Sequence, residues 1–300
     1  MRIVFCGTAG FAAPSLRACA ARHRVVAAVT QPDRPGSRGR PASRPVADTA
    51  RRLGIPVLQP DRIRAAEAIA EVIRFDAEAL VVAAYGQILP RTLLEAHPHG
   101  GVNVHASLLP RWRGAAPVAR AILAGDRVTG VCIMRMEAGL DTGPLYACRQ
   151  VAIAERTTAP ALTEELAVAG AEELVSVLAA LERGTARATP QASEGVTLAP
   201  RLSREDGLLE WSERSSEEVD RMVRALDPWP GVSAELAGVR LRLLRGCAIA
   251  GAVEAPPGTV CTIEGESAVV RAAVGLYRVD QVQPPGRRPM TAAAFLRGRR

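Results

Sequence analysis

Strand-like runs at residues 3–5, 25–29, 79–83 and 102–104 alternate with segments at 14–21, 46–53, 63–73 and 117–124 whose apolar residues recur at helical spacing. This alternation predicts βαβ units and an α/β, mostly parallel, doubly wound sheet. A longer helix at 162–181, with Glu164, Glu165, Glu172 and Glu173 outward, closes the first domain, which we place at 1–183. Over 184–203 the periodicity lapses into Thr, Ala, Pro, Gln and Ser, the composition of a linker. Beyond it, a helix near 216–225 precedes short alternating runs at 240–244, 258–263, 267–272 and 276–282. Strands of that length and spacing suggest a small β-barrel as a second domain, 204–300.

With 300 residues and 48% hydrophobic content, the chain is long enough for two cores. Its start, a buried strand running into a glycine turn, is too short and wrongly flanked for a signal peptide, and no apolar run reaches membrane-spanning length. A cytoplasmic protein without a membrane partner is expected, with a monomer as the simplest state. Six cysteines, at 6, 19, 132, 148, 247 and 261, are scattered through apolar segments, so reduced thiols are expected, with neither a disulfide nor zinc. All 38 basic residues are arginine, which excludes a Schiff-base lysine, a pyridoxal-phosphate anchor and a P-loop. The net charge of +7 favours an anionic partner, and it is unevenly spread. Residues 201–235 hold five arginines against nine acids, whereas 240–300 hold ten against four. A basic second half suits a phosphate backbone.

The candidate chemistry lies in the stretch 101–117. Asn103 and His105 stand two apart on a short strand, so both side chains point to one face. A loop follows, punctuated by Pro110 and Gly114, and opens into a helix at Ala116 or Pro117. The glycines and proline of 137–144 read as a second tight loop, and Asp141 is its committed carboxylate. An amide, an imidazole and a carboxylate at neighbouring strand ends suit acyl transfer to an amine, where an oxyanion develops and an ammonium must lose a proton. Such a reaction needs no serine or cysteine nucleophile.

At these residues the chain resembles the folate-dependent formyltransferases. The resemblance is carried by Asn103, His105, Ser107, Leu108, Leu109, Pro110, Arg113 and Gly114, followed by Gly139 to Gly143, and it spans nearly the whole chain. Residues 30–35, 83–86 and 227–230 narrow it to the branch that formylates initiator methionyl-tRNA. The likeness implies a Rossmann-like catalytic domain followed by an open, OB-like tRNA-binding domain. It also implies 10-formyltetrahydrofolate as co-substrate, with no tightly bound cofactor and no metal. Asn103, His105 and Asp141 would be catalytic. Ser107, Leu108, Leu109 and Pro110, with Ala84, Tyr85 and Gly86, would line the folate site. The loop 31–45 is similar to a lid that contacts the acceptor stem, through Arg34, Arg38 and Arg40. Here Ser37 and the pair Arg40 and Pro41 depart from the family pattern.

Other readings are weaker. Gly7 to Gly10 invites a dinucleotide site, but the third glycine is missing and no acid follows the second strand at Thr30 and Gln31. His97 and His99 beside His105 lack further ligand types nearby, so no metal is expected. Trp229, in a proline-rich turn, reads as an interdomain plug rather than a base-stacking platform. The same chemistry on a sugar-nucleotide amine, or a non-catalytic RNA-binding relative, are the alternatives.

Overall fold

The computed structural model describes residues 1–33 and 44–298. Two compact units are present, one comprising Met1–Pro117, Val128–Ala152 and Thr163–Ala199, the other Val118–Arg127, Ile153–Leu162 and Pro200–Arg300.

Chain order through the first 200 residues is β1 (Arg2–Gly7), α1 (Ala12–Arg22), β2 (Arg24–Val29), α2 (Pro45–Arg52), β3 (Val57–Leu58), α3 (Ala66–Ile73), β4 (Ala79–Ala83), α4 (Arg91–Glu95), β5 (Gly101–His105), β6 (Arg113–Gly114), α5 (Pro117–Ala124), β7 (Val128–Arg135), β8 (Leu145–Ala152), α6 (Ala159–Glu182) and β9 (Leu198–Ala199). Seven strands form one sheet in the order β3-β2-β1-β4-β5-β7-β8. The pairings from β3 to β5 are parallel, and β7 and β8 add antiparallel. The expected doubly wound, mostly parallel sheet is therefore present, extended by an antiparallel hairpin. Ile3, Val4, Phe5 and Cys6 of β1 are fully buried at its centre, each large apolar side chain stabilising by about 2 kcal/mol. Strand order reverses between β1 and β4, so the loops leaving their carboxyl ends diverge and open a crevice.

Helix α6 packs on the face of the sheet that carries Val104 and Val131. A Cβ at Gly170 would lie 2.7 Å from Val104 Cγ1, so a side chain there would push helix and sheet apart. With that face committed to α6, the alternate residues of β5, Asn103 and His105, project from the other face.

Residues 184–199, expected as part of a linker, run along the first unit. There β9 pairs with β6, and Leu145 exchanges backbone hydrogen bonds with Thr189. A run of polar residues without periodicity is what such a strap looks like when backbone groups, not side chains, hold it.

In the second unit, α7 (Ser216–Ala225) starts at a capping box. Ser215 Oγ accepts from the Glu218 amide at 3.2 Å, and Glu218 Oε2 accepts from the Ser215 amide at 2.8 Å. Burial works against ionised Asp206, but the Arg120 guanidinium, 2.7 Å away, and the Ser203 amide outweigh it and hold the carboxyl below its ordinary range. Strands β10 (Val232–Leu236), β11 (Val239–Ile249), β12 (Val260–Glu264), β13 (Ser267–Arg271), β14 (Leu276–Gln283) and β15 (Met290–Thr291), then α8 (Ala292–Arg297), complete the chain. The sheet order is β10-β11-β14-β13-β12, all antiparallel, with β15 on β14 and Leu208 bridging Ser233 at the β10 edge. Trp229 is 51% exposed in its turn.

One expectation about the cysteines is overturned. Cys132 on β7 and Cys148 on β8 face each other in the antiparallel register, with Cα atoms 4.1 Å apart, and are joined as a disulfide. Sixteen residues of separation look unremarkable in sequence; only the register brings the two thiols together. Cys6, Cys19, Cys247 and Cys261 are free, and burial pushes the Cys6 and Cys19 thiols up to about 12. Among the described residues no helix is long and apolar enough to cross a membrane.

Candidate active site at the carboxyl edge of the first sheet

Asn103 and His105 lie on the same face at the carboxyl end of β5, between β4 and β7. His105 is 6% exposed and Asn103 is partly open. The His105 ring is anchored at Nε2, which lies 3.0 Å from the Trp112 carbonyl oxygen. Since a carbonyl only accepts, Nε2 carries a proton and Nδ1 is the nitrogen left to face the site. Opposite it stands Asp141, whose Oδ2 is 3.6 Å from Nδ1. That exceeds hydrogen-bond length and lies within ion-pair range.

His105 and Asp141 are held from behind. Asp141 Oδ2 accepts from the Gly114 amide at 2.8 Å, and Asp141 itself sits at φ 51°, in the left-handed region. Trp112, also left-handed at φ 64°, donates its amide to Thr197 Oγ1 at 2.9 Å while its carbonyl receives His105. The amide nitrogen of Gln191 reaches both Asp141 O and Gly143 O, at 2.8 and 2.7 Å. Gln191 and Thr197 were not anticipated, because both lie in the segment that reads as linker. The one available signal was its length, since 20 structureless residues between compact domains are uncommon.

The loop after β5 is closed by Ser107, fully buried, whose Oγ donates to the Arg111 carbonyl at 2.6 Å. Leu109 packs with Cys132, Met134 and Leu145, and Leu108 lies over Gly130, where a Cβ would come within 2.5 Å of it. Pro110 stands at the edge of this loop, with its carbonyl 3.4 Å from the Thr197 amide. The turn after β4 is the opposite wall. Ala84 and Gly86 are exposed, both at positive φ, while the Tyr85 ring points into the core among Val4, Cys6, Val29 and Leu89. Burial raises the Tyr85 phenol, whose hydroxyl has no partner among the described residues. The turn is braced by Gln31 Nε2 and Thr8 Oγ1, which both donate to the Tyr85 carbonyl at 3.0 Å. Gly86, at φ 85°, adopts a backbone that favours glycine, and a Cβ there would also displace the Gln31 carboxamide that braces the turn. An apolar loop on one side and exposed backbone on the other fit a flat heteroaromatic ring.

Arg34, Arg38 and Arg40 lie outside the described residues. His97 is spent on the Leu93 carbonyl at 2.8 Å, and burial lowers its pKa. Among the described residues no three His, Cys, Asp or Glu side chains converge as metal ligands.

Solved structures place this fold. HypX from Aquifex aeolicus with tetrahydrofolic acid superposes with a TM-score of 0.67 at 18% identity over 99% of this chain, which spans about half the length of HypX (47%). The sugar 3N-formyl transferase WlaRD gives a TM-score of 0.70 at 14% identity, covering 96% of this chain and 99% of that one. Closer in sequence is the methionyl-tRNA formyltransferase of Xanthomonas euvesicatoria pv. vesicatoria (strain 85-10), 48% identical over 302 residues, covering 100% of this chain and 98% of the relative. That of Paramagnetospirillum magneticum (strain ATCC 700264 / AMB-1) is 47% identical over 301 residues, covering 99% and 97%. The family described as Formyl transferase matches residues 1–178, and its C-terminal domain matches 201–300. With both parts in order, and with relatives of the same length and near-half identity, this chain belongs to the formyltransferase family.

Proposed function

We propose that this protein transfers the formyl group of 10-formyltetrahydrofolate to the α-amino group of methionyl initiator tRNA, giving N-formylmethionyl-tRNA for translation initiation. The observation that carries the reading is the convergence of Asn103, His105 and Asp141 at one strand end, on a chain that matches enzymes of that name over its full length. The reaction is the addition of an amine to a formamide carbonyl and loss of the folate N10. Asn103 Nδ2 donates to the oxygen as it takes on charge, a donor of this kind being typically worth about 3 kcal/mol, while His105, its ring fixed through Nε2, presents Nδ1 to the same point. Asp141, across from Nδ1, accepts the proton that the amine gives up as it adds to the carbonyl. That proton ends on N10 of the leaving tetrahydrofolate, so no net proton is consumed. Leu108, Leu109 and Pro110 with the Ala84–Gly86 turn would seat the folate; Tyr85 serves there by its backbone, and Ser107 by closing the loop.

Residues 1–183, with the strap 184–199 docked on them, supply the chemistry in this reading, and 204–300 with Arg34, Arg38 and Arg40 hold the tRNA, mostly by phosphate contacts. The enzyme would work in the cytoplasm as a monomer. The test is transfer of labelled formyl to methionyl initiator tRNA, methionyl elongator tRNA and free methionine in parallel. Transfer to the initiator alone is expected; transfer to none of them, with activity on an amino-sugar nucleotide, would replace the acceptor. Arg38→Ala is expected to lower kcat/KM for tRNA and to reduce the slope of its logarithm against log salt by about 1, while leaving the KM for folate unchanged. An unaltered salt slope would remove Arg38 from the phosphate contacts.

A further inference from the structure

We infer that Gln191 is a positioning residue for the proton-accepting carboxylate. Resting on the reading of Asp141 above, this deepens it by naming what aims the group. The Gln191 carboxamide closes a ring of contacts around Asp141. On one side its Nε2 donates to Asp141 O and Gly143 O, 2.8 and 2.7 Å away, pinning the loop on both sides of Thr142. On the other, its Oε1 accepts from Arg113 Nε and a terminal guanidinium nitrogen, at 3.1 and 2.7 Å. Arg113 is the residue before Gly114, whose amide holds Asp141 Oδ2 at 2.8 Å. One amide therefore ties the backbone of Asp141 to the same two-residue strand that holds its carboxylate.

The need for such a tie follows from the backbone. Asp141 occupies the left-handed region, unfavourable for a residue with a Cβ, in a loop flanked by Gly139 and Gly143. Left alone, that loop has many conformations; two hydrogen bonds from a partly buried amide select one. Only a side chain that donates and accepts at the same end can bridge two carbonyls and a guanidinium, and at this reach glutamine is the one that does so without charge. The strap that carries it also bears Thr197, which holds Trp112 and through it His105. A segment remote in sequence thus fixes both members of the pair.

Gln191→Glu separates the two halves of the contact. The carboxylate keeps and strengthens the pairing with Arg113, so the strap stays docked, but it has no hydrogen to give Asp141 O and Gly143 O. We expect kcat for formyl transfer to fall about 10- to 100-fold with the KM for folate within twofold, and the melting temperature within about 3 °C of wild type. In the free protein, hydrogen exchange of the Gly114 amide should quicken at least tenfold, with the amides of β4 and β5 unchanged. Gln191→Ala should lose the same rate and some stability as well. Wild-type kcat and unchanged Gly114 exchange in Gln191→Glu would overturn the inference. The exchange measurement needs no substrate, so it decides the role of Gln191 even if the wild-type protein fails to formylate methionyl-tRNA and the acceptor is another amine.

Discussion

Asp141→Asn is expected to slow formyl transfer by about three to four orders of magnitude, with folding intact. The substitution keeps size and shape, and the Asn oxygen can still accept from the Gly114 amide as Oδ2 does now at 2.8 Å. The backbone contacts to Gln191 do not involve the side chain and persist. What disappears is charge and basicity. The position facing His105 Nδ1 at 3.6 Å is then the oxygen of a neutral amide, which brings no charge to the imidazole and accepts no proton from the adding amine. Loss of general base catalysis costs about 10² to 10⁴ in rate, and replacing the carboxylate that orients a histidine costs about 10⁴ where it has been measured in another enzyme class. The measurement is single-turnover transfer to saturating methionyl-tRNA, beside thermal unfolding. A rate within tenfold of wild type would remove Asp141 from the chemistry.

Asn103→Ala should cost about 10² to 10³ in kcat, close to 3 kcal/mol of transition-state stabilisation, and little in substrate affinity. The site makes this an unusually clean substitution. Asn103 is partly open, between Val82 of β4 and Met134 of β7 in the register, and its carboxamide is not tied into the hydrogen bonds that hold Trp112, Asp141 and Gln191. Truncation therefore removes a donor from the site without unravelling the support of the others. The two substitutions should also be less than additive, since a transition state already lacking its oxyanion donor gains less from proton transfer. Steady-state kinetics on both substrates separates the outcomes. A raised KM for folate with kcat preserved would make Asn103 a binding residue instead.

The first domain was legible because its signals are local. Runs such as Ile3–Phe5 and Ala79–Ala83 are apolar enough to be nothing but buried strands, and they are. The pair Asn103 and His105 shares a face through the two-residue period of a strand, which holds whatever surrounds it. Helix α7 was found at Ser216–Ala225, where its capping signal is written into Ser215 and Glu218. Short elements were missed, among them β3, β6, β9 and α4, because two to five residues carry no measurable period. Strand β8 went unread for another reason. As the edge of its sheet it is exposed along Arg149 and Gln150, so it lacks the apolar run that marks buried strands such as β4.

What the sequence by itself determined is the fold class, the two-part organisation and the three polar groups at the strand ends, all of which depend on spacing within about ten residues or on motif. Only the tertiary structure decided how those groups are held. The link from Cys132 to Cys148 follows from the register of β7 on β8, and a register is set by the whole packed face. The support of Asp141 comes from Gln191, 50 residues away in a stretch with no pattern, because hydrogen bonds from a strap to a loop need matching positions in space and leave no period in the chain.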